Sequence, residues 1–279
     1  MGKPSNRAKK NDMGFMDHLE ELRRRLFYAA IGIFTVSIVL FVMKDWVFET
    51  IIFAPRRPDF LAFRAWCQLG QWTGIGDRLC VTEVNYELIN TTMLGNFSAH
   101  ILVSLIGGFI FSFPWTFTQV WKFIQPGLHG SEASAARGVV FFGTLLFFAG
   151  VLFGYFVIAP LSLQFLGNYT LGDVQARIAL MSYMKTVASI TLAAGLVFEV
   201  PLVIYFLARL GLVTPEMLRS YRKHMLVVVL LLAAVITPPD VTSQILVALP
   251  VLGLYEVGIR VAKRVIRKRE AAERKNSDA

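Results

Sequence analysis

The sequence predicts an all-α membrane protein with six transmembrane helices, the last two short, and an amphipathic interfacial helix at the N-terminus. Three observations predict this fold: an apolar composition, a series of long uncharged runs, and an uneven distribution of lysine and arginine. Hydrophobic residues make up 55% of the 279 residues and charged residues only 17%, with a mean hydropathy of +0.56. A soluble domain carries about 25% charged residues, so this balance indicates a chain that crosses the membrane several times.

Six apolar runs are the candidate spans. Four are long enough to cross about 30 Å of hydrocarbon at about 1.5 Å per residue, and two are shorter. In chain order the runs cover residues 26–43, about 96–121, 138–159, about 183–208, 224–239 and 241–255. The last two, of 16 and 15 residues, would reach only about 24 and 23 Å. We interpret them as two short spans; a single re-entrant hairpin turning at "TPPD", 237–240, is the alternative.

Proline is expected to shape several of these helices. Pro114, Pro201 and Pro250 fall inside predicted spans, and Pro160 is predicted to end the third. Because proline lacks a backbone N–H, bent helices are expected at these positions, with the freed carbonyls satisfied inside the bundle.

Lysine and arginine are concentrated on one side of the predicted membrane. With six spans and a cytoplasmic N-terminus, 21 of the 28 fall inside and 7 outside, which satisfies the positive-inside rule and makes both termini cytoplasmic. The predicted domains are a disordered basic N-terminus over 1–14, a transmembrane domain over 15–262 with an outer loop at about 44–95, and a basic tail over 263–279. We interpret the tail as an anchor against anionic lipid.

The predicted outer loop contains the only two cysteines, Cys67 and Cys80. The compartment outside a bacterial cell membrane is oxidising, so a disulfide that closes the loop is one interpretation. Two unpaired small side chains packed in the loop are the other. The sequence leaves this choice open.

The stretch before the first span alternates apolar and charged residues at helical spacing. Its apolar stripe consists of Phe15, Leu19, Leu22 and Leu26. Its flanks hold two acid–arginine pairs at i,i+4 spacing, Glu20 with Arg24 and Glu21 with Arg25. Such pairs stabilise an interfacial helix by a few tenths of a kcal/mol, which alone accounts for the pattern. The functional alternative is a carboxylate patch at the inner membrane surface that binds a cationic ligand.

The sequence does not contain the motifs of an enzyme. The four histidines are scattered and none stands at a metal-ligand spacing. There is neither a G-x-x-x-x-G-K-[ST] nucleotide loop nor a G-x-S-x-G nucleophile elbow. We therefore predict a protein that is not an enzyme and needs no cofactor or metal.

Several motifs resemble one known family in their order along the chain. They are "HLEELRRRL" at 18–26, "AP" at 54–55, "QVWKFIQPGL" at 119–128, Glu132, "FEVP" at 198–201 and "TPPDVTSQ" at 237–244. Together they resemble the TatC family, the multi-span core of the twin-arginine protein translocase. The resemblance covers roughly residues 15–260, and it implies six spans with the last two short and both ends cytoplasmic.

The resemblance also implies a function. Family members bind paired-arginine signal peptides at the cytoplasmic face of the bacterial inner membrane and pass folded proteins outward. They assemble with single-span TatA- and TatB-type subunits and with other copies of themselves. The proton-motive force drives the step, which agrees with the missing nucleotide loop.

Five residues are implied as the signal-peptide site. Glu21 and Glu132 match the family's acidic residues, and carboxylates suit guanidinium groups because they accept two parallel hydrogen bonds. Arg23 matches the conserved arginine of the opening motif, with a role in orienting the acids. Phe123 and Pro126 match the loop wall beside the site.

An acid lies near the middle of the fourth predicted span. Glu199 is costly there, so it is interpreted either as a protonated acid bonded to a neighbouring helix or as a functional group. The functional choices are contact with a partner's transmembrane helix or a step in proton coupling, and the resemblance favours partner contact. Gln244 resembles a second partner-helix contact. Pro55 and Asp240, near outer ends of spans, are predicted to be structural.

Two other functions remain as alternatives. A secondary transporter would use a broken helix and an intramembrane acid, as Glu199 beside Pro201 suggests. The sequence shows no inverted repeat, and its span count is small for that class. A purely structural membrane anchor would not need acids at the inner surface and in the middle of a span.

Overall fold

Long helices form most of the chain in the computed structural model, which describes residues 15–72, 74, 86–125, 133–169, 177–237 and 241–277. The α-helices are α1 Phe15–Val42, α2 Lys44–Trp46, α3 Leu61–Trp72, α4 Gly95–Ile124, α5 Ala133–Phe153, α6 Ala159–Asn168, α7 Leu180–Phe198, α8 Val200–Arg209, α9 Pro215–Ser220, α10 Arg222–Ile236 and α11 Val241–Ser277. The other elements are the strands β1 Glu87–Ile89 and β2 Arg177–Ala179, π-helical segments Val47–Ile52 and Gly154–Ile158, and a 3₁₀ turn Ala54–Arg56.

Five stretches of the described residues are long and apolar enough to cross a membrane. They are His18–Val42, Gly95–Ile124, Gly138–Asn168, Leu180–Arg209 and Gln244–Arg267. Each overlaps one of the apolar runs found in the sequence. The remaining run forms α10, which has only 15 residues and therefore spans about 23 Å.

The helices α1 and α4 pack closely against each other in opposite directions. At one end, Arg25 of α1 donates to Gln119 of α4; at the other, the rings of Phe41 and His100 stack with centroids 3.9 Å apart. Between these contacts, a Cβ on Gly108 would lie 1.9 Å from Ser37 Oγ. Only glycine allows this approach, as in other close helix pairs of membrane proteins.

The two ends of the bundle differ in chemistry, and we name them the Glu21 end and the strand end. The Glu21 end contains the start of α1 and the end of α4. It also contains the end of α8, because Trp121 and Phe206 have ring centroids 4.9 Å apart. The strand end contains β1 and β2, a parallel pair in which Glu87 lies opposite Arg177.

Buried tyrosines support the strand end. The Tyr183 hydroxyl donates to the carbonyl of Ile52 at 2.8 Å, and the Tyr86 ring lies so close to Gly167 that a Cβ there would be 2.4 Å away. Burial raises the pKa of Tyr86 to about 12, with Arg56 lowering it only in part, so this hydroxyl stays neutral. Hydropathy alone did not predict the strand pairing, because three-residue strands carry too little pattern.

The prolines act differently from one another, and one prediction was wrong. Pro160 does not end the third span. The π-helical segment Gly154–Ile158 leads directly into α6, which contains Pro160 and continues to Asn168. There the Ala159 N–H bonds to the Gly154 carbonyl, and this wider i→i+5 register accommodates the proline that follows. Pro201 does mark a break, since α7 ends at Phe198 and α8 begins at Val200.

Pro114 and Pro250 lie inside uninterrupted helices, α4 and α11. The Pro114 carbonyl accepts a hydrogen bond from the Thr118 hydroxyl at 2.6 Å. The carbonyl that lacks its usual donor because of Pro114 is that of Ile110, one turn earlier, so this bond does not replace the missing one. Both helices nevertheless continue past their prolines.

The sequence predicts that the last two spans are both short. This is wrong for the last one. α10 is short, but α11 has 37 residues and continues through most of the basic tail. Arginine, lysine, glutamate and alanine are good helix formers, so the helix persists where the apolar run stops.

Candidate functional site

Glu21 lies in an open cleft at the Glu21 end of the bundle. The cleft has a volume of about 620 Å³ and is lined by Glu20, Glu21, Arg23, Arg24 and Phe27. All five come from two consecutive turns of α1. They can line one cleft because residues three and four positions apart lie on the same helix face. The lining combines both charge signs with an aromatic wall, which suits a ligand that is partly cationic and partly apolar.

Two neighbouring arginines hold the Glu21 carboxylate. Arg25 Nε donates to Oε1 at 2.7 Å, and Arg24 donates to Oε2. The Glu21 side chain is 17% exposed, against 59% for Arg24 and 23% for Arg25. The predicted pair of Arg24 with Glu20 is wrong, because Arg24 bonds one turn back to Glu21; Glu20 is exposed.

Arg25 and His18 fix this part of α1 against α4. Arg25 Nη1 donates to Gln119 Oε1 at 3.3 Å, and Gln119 is buried. The His18 ring stacks on Phe123, with centroids 4.5 Å apart. Glu21 is therefore presented by a helix that is anchored at two points, which limits the freedom of its carboxylate.

The structure brings together only part of the predicted signal-peptide site. Phe123 is half-buried on the end of α4 and faces His18. Arg23 lines the cleft but is exposed, and the arginines bonded to Glu21 are Arg24 and Arg25 instead. Pro126 and Glu132 lie outside the described residues, so their places in the site stay predictions.

Glu199 is enclosed by the helices around it. It stands at the break between α7 and α8 and is 8% exposed. Both of its carboxyl oxygens are buried and lack a hydrogen-bond partner among the described residues. A few residues on, Leu202 packs with Trp121 and Val139. At 8% exposure, the described fold leaves little of the Glu199 side chain for a partner's helix to contact.

The other predicted residues that the structure describes lie near the start of α11, in the 3₁₀ turn and in α3. Gln244 Nε2 donates to the Leu230 carbonyl at 3.0 Å, which joins α11 to α10. Pro55 is buried in the 3₁₀ turn, and Asp240 lies outside the described residues. Cys67 lies in α3 and is not a free thiol. Cys80 lies outside the described residues, so its pairing with Cys67 stays a prediction.

No group of three or more histidine, cysteine, aspartate or glutamate residues that could hold a metal ion occurs in the described part of the chain. Among the described residues, the positively charged groups paired with Glu21 are Arg24 and Arg25 of the same helix. The chemistry that the cleft offers is therefore ion pairing and hydrogen bonding.

The sequence predicted the Glu21–Arg25 pair, and the structure confirms it, but Gln119 and His18 were missed as parts of the site. Gln119 is the first residue of the motif "QVWKFIQPGL", so its identity was visible. Its contact with Arg25 was not, because the two residues are 94 positions apart. Only a comparison of related sequences or a structure could have paired them.

The fold and the site define a class: a multi-pass membrane protein whose helix bundle presents a carboxylate, anchored between arginines, in an open cleft at one end. The family profile described as "Sec-independent protein translocase protein (TatC)" matches residues 17–250. The chain belongs to the TatC family. It is a component of the Tat protein translocase, as its opening motif predicted.

Relatives and solved structures agree with this assignment over nearly the whole chain. TatC of Blattabacterium sp. subsp. Periplaneta americana is 34% identical over 262 residues, 93% of this chain and 98% of the relative. TatC of Aquifex aeolicus is 32% identical over 264 residues, 94% of this chain and 100% of the relative.

Two crystal structures of a twin arginine translocase receptor, TatC, share the fold. One has a TM-score of 0.65 and 32% identity, and the alignment covers 89% of this chain and 99% of that one. The other, in DDM, has a TM-score of 0.68 and 32% identity, with 88% and 99% covered.

Proposed function

We propose that this protein is the receptor of the twin-arginine translocase, which binds the paired arginines of export signals at the cytoplasmic face of a bacterial inner membrane. The observation that carries the proposal is the Glu21 carboxylate, which accepts hydrogen bonds from two guanidinium groups at once. A carboxylate that binds guanidinium groups in an open cleft suits a guanidinium group of a ligand. Guanidinium forks match carboxylates better than ammonium groups do, which favours arginine over lysine.

The wider site takes its other members from residues that the sequence predicts. Glu132 is proposed as the second acceptor, so that each arginine of the signal meets its own carboxylate. Phe123 and Pro126 would form the wall beside the signal, and Arg23, exposed in the cleft, would help orient it. The apolar ring of Phe27 lines the same cleft and would contact the hydrophobic part of the signal.

The proposed topology has six crossings and two cytoplasmic termini. The start of α1 and the end of α4 lie together at the Glu21 end, so α4 runs opposite to α1. α10 reaches only about 23 Å, so we propose that it crosses a locally thin region of bilayer. The excess of lysine and arginine assigns the Glu21 end to the cytoplasm.

We propose that TatA- and TatB-type single-span subunits bind at the sides of this bundle. Gln244 is a candidate contact because its amide is half-buried near the start of α11 and bonds only one carbonyl of α10. Glu199 is buried, so it would meet a partner only after α8 moves away from α4. A partner that exposes this acid would connect assembly to the proton-motive force. The secondary transporter is not proposed, because only the buried Glu199 favours it.

Photocrosslinking from the cleft tests the receptor assignment. A photoreactive residue replaces Phe27, which lines the cleft, or Phe97, an exposed ring near the strand end used as the control position. We expect an Arg-Arg signal peptide to crosslink at position 27 and not at 97, and a Lys-Lys peptide to crosslink poorly at both. Adding Glu21→Gln should weaken binding about tenfold, the scale of one charge-assisted hydrogen bond.

The result that would overturn the receptor assignment is equal capture of both peptides at position 27, or capture that Glu21→Gln leaves unchanged. A Glu20→Gln variant is the matched control. It removes the same charge one residue away, from a side chain that is not bonded to Arg24 or Arg25.

A further inference from the structure

The chain's own consecutive arginines occupy the carboxylate that the proposed function assigns to the signal. Arg24 bonds Glu21 Oε2 and Arg25 bonds Oε1, so both oxygens already have a guanidinium donor. The internal pair resembles the export tag in one respect: it consists of two adjacent arginines. Each oxygen can accept one more hydrogen bond, but a signal cation that approaches this carboxylate competes with the internal arginines for it.

We propose that Arg24 is an internal competitor that sets the affinity of the receptor for its signal, an inference that rests on the proposed function. In the resting protein Arg24 covers Oε2, and a signal arginine replaces it there. The receptor binds a signal only in the fraction of molecules in which Arg24 has swung away. Its measured affinity is then lower than the intrinsic affinity by that fraction.

The two internal arginines have different roles because their surroundings differ. Arg25 is 23% exposed and also bonds Gln119 on α4, so releasing it would loosen α1 from its neighbour. Arg24 is 59% exposed, and Glu21 is its one described ion-pair partner. Its side chain can leave without breaking a contact between helices. Arg25 is thus a positioning residue, and Arg24 is the exchangeable one.

The competition lowers the affinity for every cation by the same factor. Because Arg24 must leave before either an arginine or a lysine can bind, the ratio of the two affinities does not depend on it. Discrimination between arginine and lysine comes from the fit of the guanidinium group to Glu21. Arg24 sets the overall affinity with which any signal binds. An exposed ion pair of this kind corresponds to a factor of about two to five in the occupancy of the site.

Three purified variants in lipid nanodiscs test this, with a fluorescent Arg-Arg peptide and a Lys-Lys peptide as probes. Arg24→Gln removes the competitor, and Arg24→Lys keeps its charge but loses the planar fork. Lys122→Gln is the matched control: it removes one positive charge from the same end of the bundle, at an exposed residue not bonded to Glu21. We expect Arg24→Gln to tighten both peptides by about two- to five-fold. Arg24→Lys should tighten them by a smaller factor, and Lys122→Gln should leave them within error.

The opposite pattern overturns the proposal. If only the net charge mattered, Arg24→Gln and Lys122→Gln would tighten binding alike and Arg24→Lys would change nothing. Wild-type binding that requires Glu21 but is unaffected by either Arg24 variant refutes the competitor and leaves the receptor intact. Absence of Arg-Arg binding in the wild type, with no effect of Glu21→Gln, refutes the receptor itself.

Discussion

Substitution of Gly108 gives the sharpest test of the packing that positions the candidate site. A Cβ at this position of α4 would lie 1.9 Å from Ser37 Oγ and 2.9 Å from Ser37 Cα on α1. Rotating the serine side chain removes the first contact but not the second, because Cα belongs to the backbone. The two helices must therefore move apart in a Gly108→Ala variant.

The expected cost follows from this separation. Overpacking of a close interface typically costs about 1–3 kcal/mol. If the helices also separate by about 0.5–1 Å along the rest of their interface, each van der Waals contact between them loses about a quarter to a half of its energy. For a chain of this size, each 1 kcal/mol lowers the melting temperature by about 2–4 °C. We therefore expect Gly108→Ala to melt about 3–10 °C below the wild type.

The assay is thermal unfolding of the purified protein in one detergent, followed by tryptophan fluorescence. Gly253→Ala in α11 is the matched control, because a Cβ there would meet no packing neighbour within 4 Å in the described part of the chain, and alanine is the better helix former. It should melt at or slightly above the wild-type temperature. Adding Ser37→Gly to Gly108→Ala should restore part of the loss. Equal melting of Gly108→Ala and Gly253→Ala would refute the close approach of α1 and α4.

Three further predictions address the site, the buried acid and the loop. Gln119→Ala should weaken Arg-Arg peptide binding by a few-fold, since Arg25 loses its anchor on α4; unchanged binding in a fluorescence titration would show that the anchor is dispensable. Glu199→Leu should raise the melting temperature or leave it unchanged, because the described structure gives the carboxyl group no partner and desolvating it is costly; a drop of several degrees would reveal an undetected partner. Cys67 and Cys80 should react with maleimide only after reduction if they are bonded to each other; labelling of the unreduced, unfolded protein would contradict the bond.

The opening motif revealed the candidate carboxylate but not its partners. Glu21 was identified because the opening motif resembles that of the TatC family; the local pattern of acids and arginines by itself indicated only an interfacial helix. The Arg24–Glu21 bond could not be distinguished from Arg24–Glu20, because i,i+3 and i,i+4 neighbours lie on the same helix face. The Arg25–Gln119 contact joins residues 94 positions apart, a relation that periodicity does not contain.

Helix ends were less predictable than helix positions. Hydropathy found each apolar run, yet α11 continues far beyond its own, and the helix past Pro160 does not stop. Hydropathy measures where a segment prefers lipid, whereas a helix ends where its backbone hydrogen bonds end. The two limits coincide only when a turn follows the apolar run directly.

The sequence by itself determined which segments are apolar enough to cross a membrane, because transfer of side chains into lipid is a sum over consecutive residues. It also determined the chemistry of the opening motif, since a carboxylate among arginines can be read from four neighbouring letters. The tertiary structure alone decided which helices touch, that Gly108 meets Ser37, and that Glu199 is enclosed. It also decided that Arg25 ties Glu21 to α4. These facts depend on packing between distant segments, and packing energies arise only once the segments have met.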